Sequence, residues 1–239
     1  MLSNGGRPPR VPRSDLADTL LERLTGTYPA AADPVRADAM GAYMKHVAPF
    51  LGIPAPLRRD LSRTVTKNTP RPSETDCLAL ALRCWRLPER EYHYFAVDYL
   101  RRHVARCSSG SLPVVRHLIT TVPWWDTVDL LAAHTVGPLV AADPDRLAPV
   151  MDEWIESEDL WLARTALLHQ LGRKDSTDTG RLFAHCRRRA GDPDFFLRKA
   201  IGWALRDYAR TDPDAVRAFV DAERGALSPL SMREALKNL

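Results

Sequence analysis

Cysteine is scarce in this chain, and it follows no pattern. Cys77, Cys84, Cys107 and Cys186 are the only four, with no CxxC spacing among them. Neither a disulfide scaffold nor a zinc cluster is therefore expected. His103 and Cys107 can share a helix face, but no second pair stands at a zinc-like interval. Buried thiols are the expectation, with no metal and no cofactor. Long apolar runs are missing too. None approaches the roughly 20 residues that span a bilayer, so no membrane partner is expected. The stretch MLSNGGRPPRVPRSD has arginines but no apolar run, which is not the make-up of a secretory signal. A cytoplasmic protein is expected. Alternating runs of Val, Ile and Thr are also absent, which argues against a strand-rich fold.

What is present is ordinary in bulk. The 239 residues are 45% hydrophobic and 27% charged, enough for one large domain or one repeat array. Lys plus Arg number 34 against 30 Asp plus Glu, a formal +4 that is too small to name a partner. The arginines are clustered, at Arg58-Arg59, at Arg101-Arg102, from Arg187 to Arg189 and from Arg198 to Arg210. Any one cluster taken alone reads first as a solvated helix face.

Periodic apolar segments run along the chain at Ser14–Thr25, Asp33–Phe50, Pro56–Lys67, Cys77–Trp85, Glu91–Arg106, Pro113–Thr120 and Trp124–Val140. They continue at Pro144–Glu156, Leu160–Leu171, Thr177–Arg189, Phe195–Tyr208, Pro213–Glu223 and Ser231–Leu239. Asp33-Pro34, Asp143-Pro144, Asp192-Pro193 and Asp212-Pro213 each read as a helix start, Asp as N-cap and Pro in the first turn. Short connections make helical hairpins of HEAT or armadillo size. The expected fold is an all-α, right-handed curved solenoid of HEAT-like repeats with a concave basic groove, and a compact helical bundle is the alternative. Residues 1–13 read as a disordered arm and 14–239 as a single domain.

Three anomalies stand out. In PWWDTVD, Trp124, Val128, Leu131 and Thr135 share a core stripe, whereas Trp125 lies about 100° away with Asp129 one turn above it. An indole beside a carboxylate can hold something cationic, or else Trp125 packs under a loop and Asp129 makes a salt bridge. In FFLRKAIGWALRDYAR, Lys199, Trp203, Arg206 and Arg210 form a stripe opposite the apolar one. Cations around a flat ring suit a nucleic acid, and a structural cation–π stack is the other reading. In LWLARTALLHQL, Arg164 lies on the apolar stripe. There it either pairs with Asp126 or Asp129 or reaches out to a phosphate.

The stretches FLGIPAPLRRDL, WWDTVD, LWLARTALLHQL, FFLRKAIGWALRDYARTDPDAV and SPLSMREALKNL together resemble the AlkD-type alkylpurine DNA glycosylases, DNA alkylation repair enzymes built from HEAT-like repeats. The resemblance runs from about Tyr43 to the last residue and leaves the Pro- and Arg-containing arm outside. It implies that Trp125 and Trp203 line a basic groove and contact the damaged nucleotide, that Asp129 is the catalytic carboxylate, and that Arg164 is a groove arginine. Tyr43 is similar to a further groove tyrosine. Lys199, Arg206 and Arg210 would bind DNA. The expected activity is excision of 3-methyladenine, 7-methylguanine and related cationic adducts from duplex DNA, without drawing the base into a pocket. The enzyme is expected to be monofunctional, monomeric and nucleoid-associated when bound. A non-catalytic binder of damaged or branched DNA and a protein scaffold are the other classes. The set Trp125, Asp129, Arg164 and Trp203 discriminates, since a binder has no use for a carboxylate among phosphates.

Overall fold

A computed structural model describes residues 8–237 and 239, and most of the expected N-terminal arm, residues 1–7, lies outside them. Residues 8–13 carry no regular secondary structure. Every regular element among the described residues is helical, as expected. Two compact units divide the chain, 1–127 and 128–239.

The first unit contains α1 (Asp15–Thr27), α2 (Pro34–Tyr43), α3 (Ala55–Val65), α4 (Glu74–Cys84), α5 (Arg90–His103) and α6 (Leu112–Thr120). Their starts follow local chemistry. Ser14 accepts from the Ala17 amide at the head of α1, and Ser73 and Asp76 form a reciprocal capping box on α4. The segment expected to be helical through Phe50 stops at Tyr43, because Lys45 and His46 adopt left-handed dihedrals (φ 58° and 53°). The loop that follows is held from α5. Buried Glu91 accepts from the amides of Leu51, Gly52 and Ile53 at 2.9, 2.8 and 3.1 Å. Gly52 has φ +85°, and a β-carbon there would lie 2.1 Å from the Asp33 carbonyl, so only glycine fits this turn.

Helix α7 (Trp125–Leu131) runs through the boundary between the units, continues as a π turn over Ala132–Val136, and resumes as α8 (Gly137–Ala142). Val128, Leu131 and Thr135 are buried as expected. Trp124 is not the core tryptophan of that stripe: it is half-buried and precedes the first helical residue.

The second unit continues with α9 (Pro144–Ile155), α10 (Leu160–Leu168), α11 (Thr179–Arg188), α12 (Phe195–Tyr208), α13 (Pro213–Ala222) and α14 (Pro229–Ala235). Sequence neighbours pair as α9 with α10, α11 with α12 and α13 with α14, while α10 packs on α12 and α12 on α14. Stacked helical hairpins of this kind are a repeat architecture. Asp212 caps α13 as expected. Asp192 does not cap α12. Asp194 does, accepting from the amides of Phe196 and Leu197, while Asp192 binds Arg189 and the Asp194 amide.

Candidate functional site

The row α10–α12–α14 brings together most of the residues singled out in the sequence. Arg164 on α10 is 1% exposed and grips Asp129 with both arms of its fork, Nε to Oδ1 and Nη2 to Oδ2, each at 2.7 Å. Its Nη1 donates to the carbonyl of Phe196. The open question about Arg164 is thus resolved in favour of an internal acid, Asp129. Its fork is fully engaged and is not extended toward solvent. The Asp129 side chain is 16% exposed.

The Arg164 guanidinium lies 5.4 Å from the centre of the Trp203 ring, and Lys199 Nζ lies 5.3 Å from it. The structural cation–π stack therefore exists, and the Trp203 ring stays partly exposed. Lys199 and Arg206 each reach Glu234 on α14 at 3.0 Å, one to each carboxylate oxygen. The hydrogen bond from Lys199 and the nearby cations hold the Glu234 carboxyl below its ordinary range. Asp129, Arg164, Trp203, Lys199, Glu234 and Arg206 are one continuous chain of contacts. Glu234 is the member that sequence reasoning missed. Its signal lay in the quoted SPLSMREALKNL, as the acid of that stretch.

Glycine makes this arrangement fit. A β-carbon at Gly202 would lie 2.4 Å from the β-carbon of Glu234 and 3.0 Å from the Ser231 carbonyl. Helix α14 can sit close enough for Glu234 to reach both cations only because residue 202 has no side chain. Gly202→Ala gains about 1 kcal/mol of helix propensity but overpacks the contact, which typically costs about 1–3 kcal/mol. Denaturant titration is expected to show net destabilisation. A more stable Ala variant would mean that α14 can move away freely.

Not every cation named from the sequence joins this cluster. Arg210 stays 72% exposed, 3.9 Å from Asp207. The run from Arg187 to Arg189 is structural, with partners in Glu223, Glu156 and Asp192 respectively. Tyr43 and Trp125 belong to the first unit. Tyr43 is 73% exposed at the end of α2, and Trp125 is a half-buried residue that opens α7, four positions before Asp129.

The first unit has a buried ion pair of its own that the sequence did not reveal. Arg90 is fully buried and binds Asp126 through Nε at 3.0 Å and Nη2 at 2.6 Å. It also donates to Thr127 Oγ1 and the Val122 carbonyl. Tyr94 donates to Asp126 at 2.5 Å, with the Arg58 guanidinium 4.4 Å from the centre of its ring. Because Arg90 can only donate, His93 Nδ1 at 3.2 Å accepts, and the ring proton sits on Nε2, 3.1 Å from the Leu87 carbonyl.

Burial, with Arg90 beside it, pushes His93 down from 6.5 to about 4. Burial likewise pushes His169 in the second unit to about 4. Unfolded histidines protonate first as pH falls, so the unfolded state binds more protons between pH 6.5 and 4. The stability these rings contribute is complete above 6.5 and is lost down to about 4, on the order of a few kcal/mol in all. Melting curves are expected to show Tm falling steadily across that window. A flat profile would mean that the folded rings accept protons.

Comparison with known proteins agrees with this architecture. The DNA alkylation repair enzyme family matches residues 24–239. A solved structure from Enterococcus faecalis, described as a predicted DNA alkylation repair enzyme, is 33% identical with a TM-score of 0.79, covering 87% of this chain and 96% of its own. AlkD2 from Streptococcus mutans shares the fold at 17% identity and a TM-score of 0.57, covering 76% of this chain and 88% of its own. No curated protein sequence matches the chain significantly. The fold and the match define a helical protein of DNA repair. The chain belongs to the DNA alkylation repair enzyme family, which gives it a role in the repair of alkylated DNA.

Proposed function

We infer that the protein is a monofunctional DNA glycosylase that hydrolyses the N-glycosidic bond of cationic alkylated purines, such as 3-methyladenine and 7-methylguanine, in duplex DNA. The observation that carries the reading is the Asp129 carboxylate. It is fixed bidentately by a buried arginine, keeps a partly exposed side chain, and belongs to the same cluster as the partly exposed Trp203. In phosphate binding, a carboxylate amid cations only repels the ligand. A glycosylase gains from it, because charge opposite a developing oxocarbenium lowers the barrier most when it is preorganised.

The chemistry needs one carboxylate. A base alkylated at N3 or N7 is already cationic and leaves neutral without protonation, so the general acid of ordinary glycosidases is unnecessary. Asp129 opposes the charge that forms on the sugar and orients the attacking water. Arg164 holds Asp129 in place rather than binding phosphate. Trp203 offers a ring face to the deoxyribose, and the family resemblance gives Trp125 the same task. Lys199 has its amine on Glu234, which favours hydrolysis over Schiff-base lyase chemistry. Tyr43 and Arg210, both exposed, join Lys199 and Arg206 as candidates for contacts to the DNA backbone.

The test is direct. Purified protein is incubated with methylated duplex DNA, released bases are separated by chromatography, and strand integrity is checked before alkali. Free 3-methyladenine and 7-methylguanine with intact abasic strands are expected. Retained DNA with no base released would leave a non-catalytic binder. Cleaved strands would restore the lyase reading.

A further inference from the structure

The first unit holds an open cavity of about 450 Å³ between the α3–α4 loop and the end of α5, outside the cluster described above. Its charged lining is all of one sign. Arg71 comes from the loop, and Arg102, His103 and Arg106 come from α5 and the turn that follows it. The three arginines are exposed. Among the described residues none of them has an acid within ion-pair reach, whereas arginines elsewhere such as Arg83, Arg181 and Arg187 do. His103 shares this environment. Burial, then Arg102 and Arg106, holds His103 below its ordinary range, with no acid acting against them.

The donors are also prearranged. Arg71 stands between Pro70 and Pro72, whose fixed φ angles stiffen the loop and reduce the entropy lost when its side chain is engaged. The His103 ring rests against Tyr99 at 4.6 Å. Thr66 and Thr69 donate their hydroxyls to backbone carbonyls, which leaves the guanidiniums as the charged donors of the cavity. Like charges that converge without an acid raise the local potential, and a concave wall focuses it. Guanidinium forks match the oxygens of a phosphate.

We propose that this cavity is a phosphate-binding site, of a size to take the di- or triphosphate of a free nucleotide or two adjacent phosphates of a DNA strand. The volume lies within the roughly 300–1,000 Å³ of small-ligand sites.

The experiment uses the full chain and Arg102→Ala/Arg106→Ala, whose exposed side chains have no folding partner to lose. Pyrophosphate and ADP are titrated by calorimetry. Undamaged duplex binding is measured from 50 to 200 mM salt. If free phosphates occupy the site, both probes bind the parent and lose roughly ten- to a hundredfold in affinity with each charged hydrogen bond removed. If the source is DNA, the probes bind poorly, and the log–log salt slope falls by about 0.9 for each arginine removed. Either result supports the site. Loss of probe binding by Arg206→Ala instead would place the anion elsewhere and overturn it. So would a double variant that matches the parent in both assays. None of these readouts requires glycosylase activity, so failure of that reading would leave this one standing.

Discussion

Asp129→Asn is expected to lower excision of 7-methylguanine by about two to three orders of magnitude, the usual worth of one preorganised electrostatic contact. Binding to undamaged duplex should stay level or tighten, since a negative charge is removed. The structure adds a second effect. Asp129 is the counter-ion of the buried Arg164, and breaking such a pair by removing one charge typically costs about 3–5 kcal/mol. Rates must therefore be compared on protein shown to be folded by circular dichroism. Combining Asp129→Asn with Arg164→Gln removes both charges, and this pair should fold better than the single variant while remaining inactive. Full excision by either folded variant would make Asp129 a structural acid.

Arg90→Met is expected to be the most destabilising single change in the first unit. It strands Asp126, 8% exposed, with Tyr94 and backbone contacts only. An uncompensated buried carboxylate costs about 3–5 kcal/mol, and 1 kcal/mol lowers Tm by roughly 2–4 °C in a chain of this size. A loss of roughly 6–20 °C is expected. Arg90→Met combined with Asp126→Leu should recover part of it, because an apolar pair of similar volume carries no desolvation cost. A single variant that melts within a degree or two of the parent would show that water reaches Asp126. From the sequence, Asp126 is one of two candidate partners for Arg164. It anchors Arg90 instead, so Asp126→Asn should also damage folding.

These two ion pairs show what the sequence could reveal. Arg164 was legible because it interrupts an apolar stripe, and a cation in that position must find an acid. The candidates Asp126 and Asp129 differ by less than one helical turn, and only tertiary packing chooses between them. Arg90 gave no such signal. It opens α5 among polar neighbours, where a charged residue looks solvated. Glu234 lies 35 residues from Lys199 and 28 from Arg206, so its double role appears only when α14 docks on α12. The helical content followed from period and caps. Where the structure differs, a local competitor wins: Asp194 takes the cap expected of Asp192, and the left-handed turn at Lys45 and His46 ends α2 early. The π turn after Leu131 shifts the phase of the helix, and no residue pattern announces it.

Glu234 has a further consequence on the proposed reading. By holding Lys199 and Arg206, it acts as an internal competitor for whatever phosphate approaches them. A strand offering nothing but its backbone must first displace that carboxylate, so its dwell time is short. Dissociation, more than encounter, sets such affinities. A repair protein surrounded by intact DNA is served by a grip that releases quickly, because each release returns it to the search. In this picture the same acid that stiffens α14 against α12 also sets how fast the protein moves on.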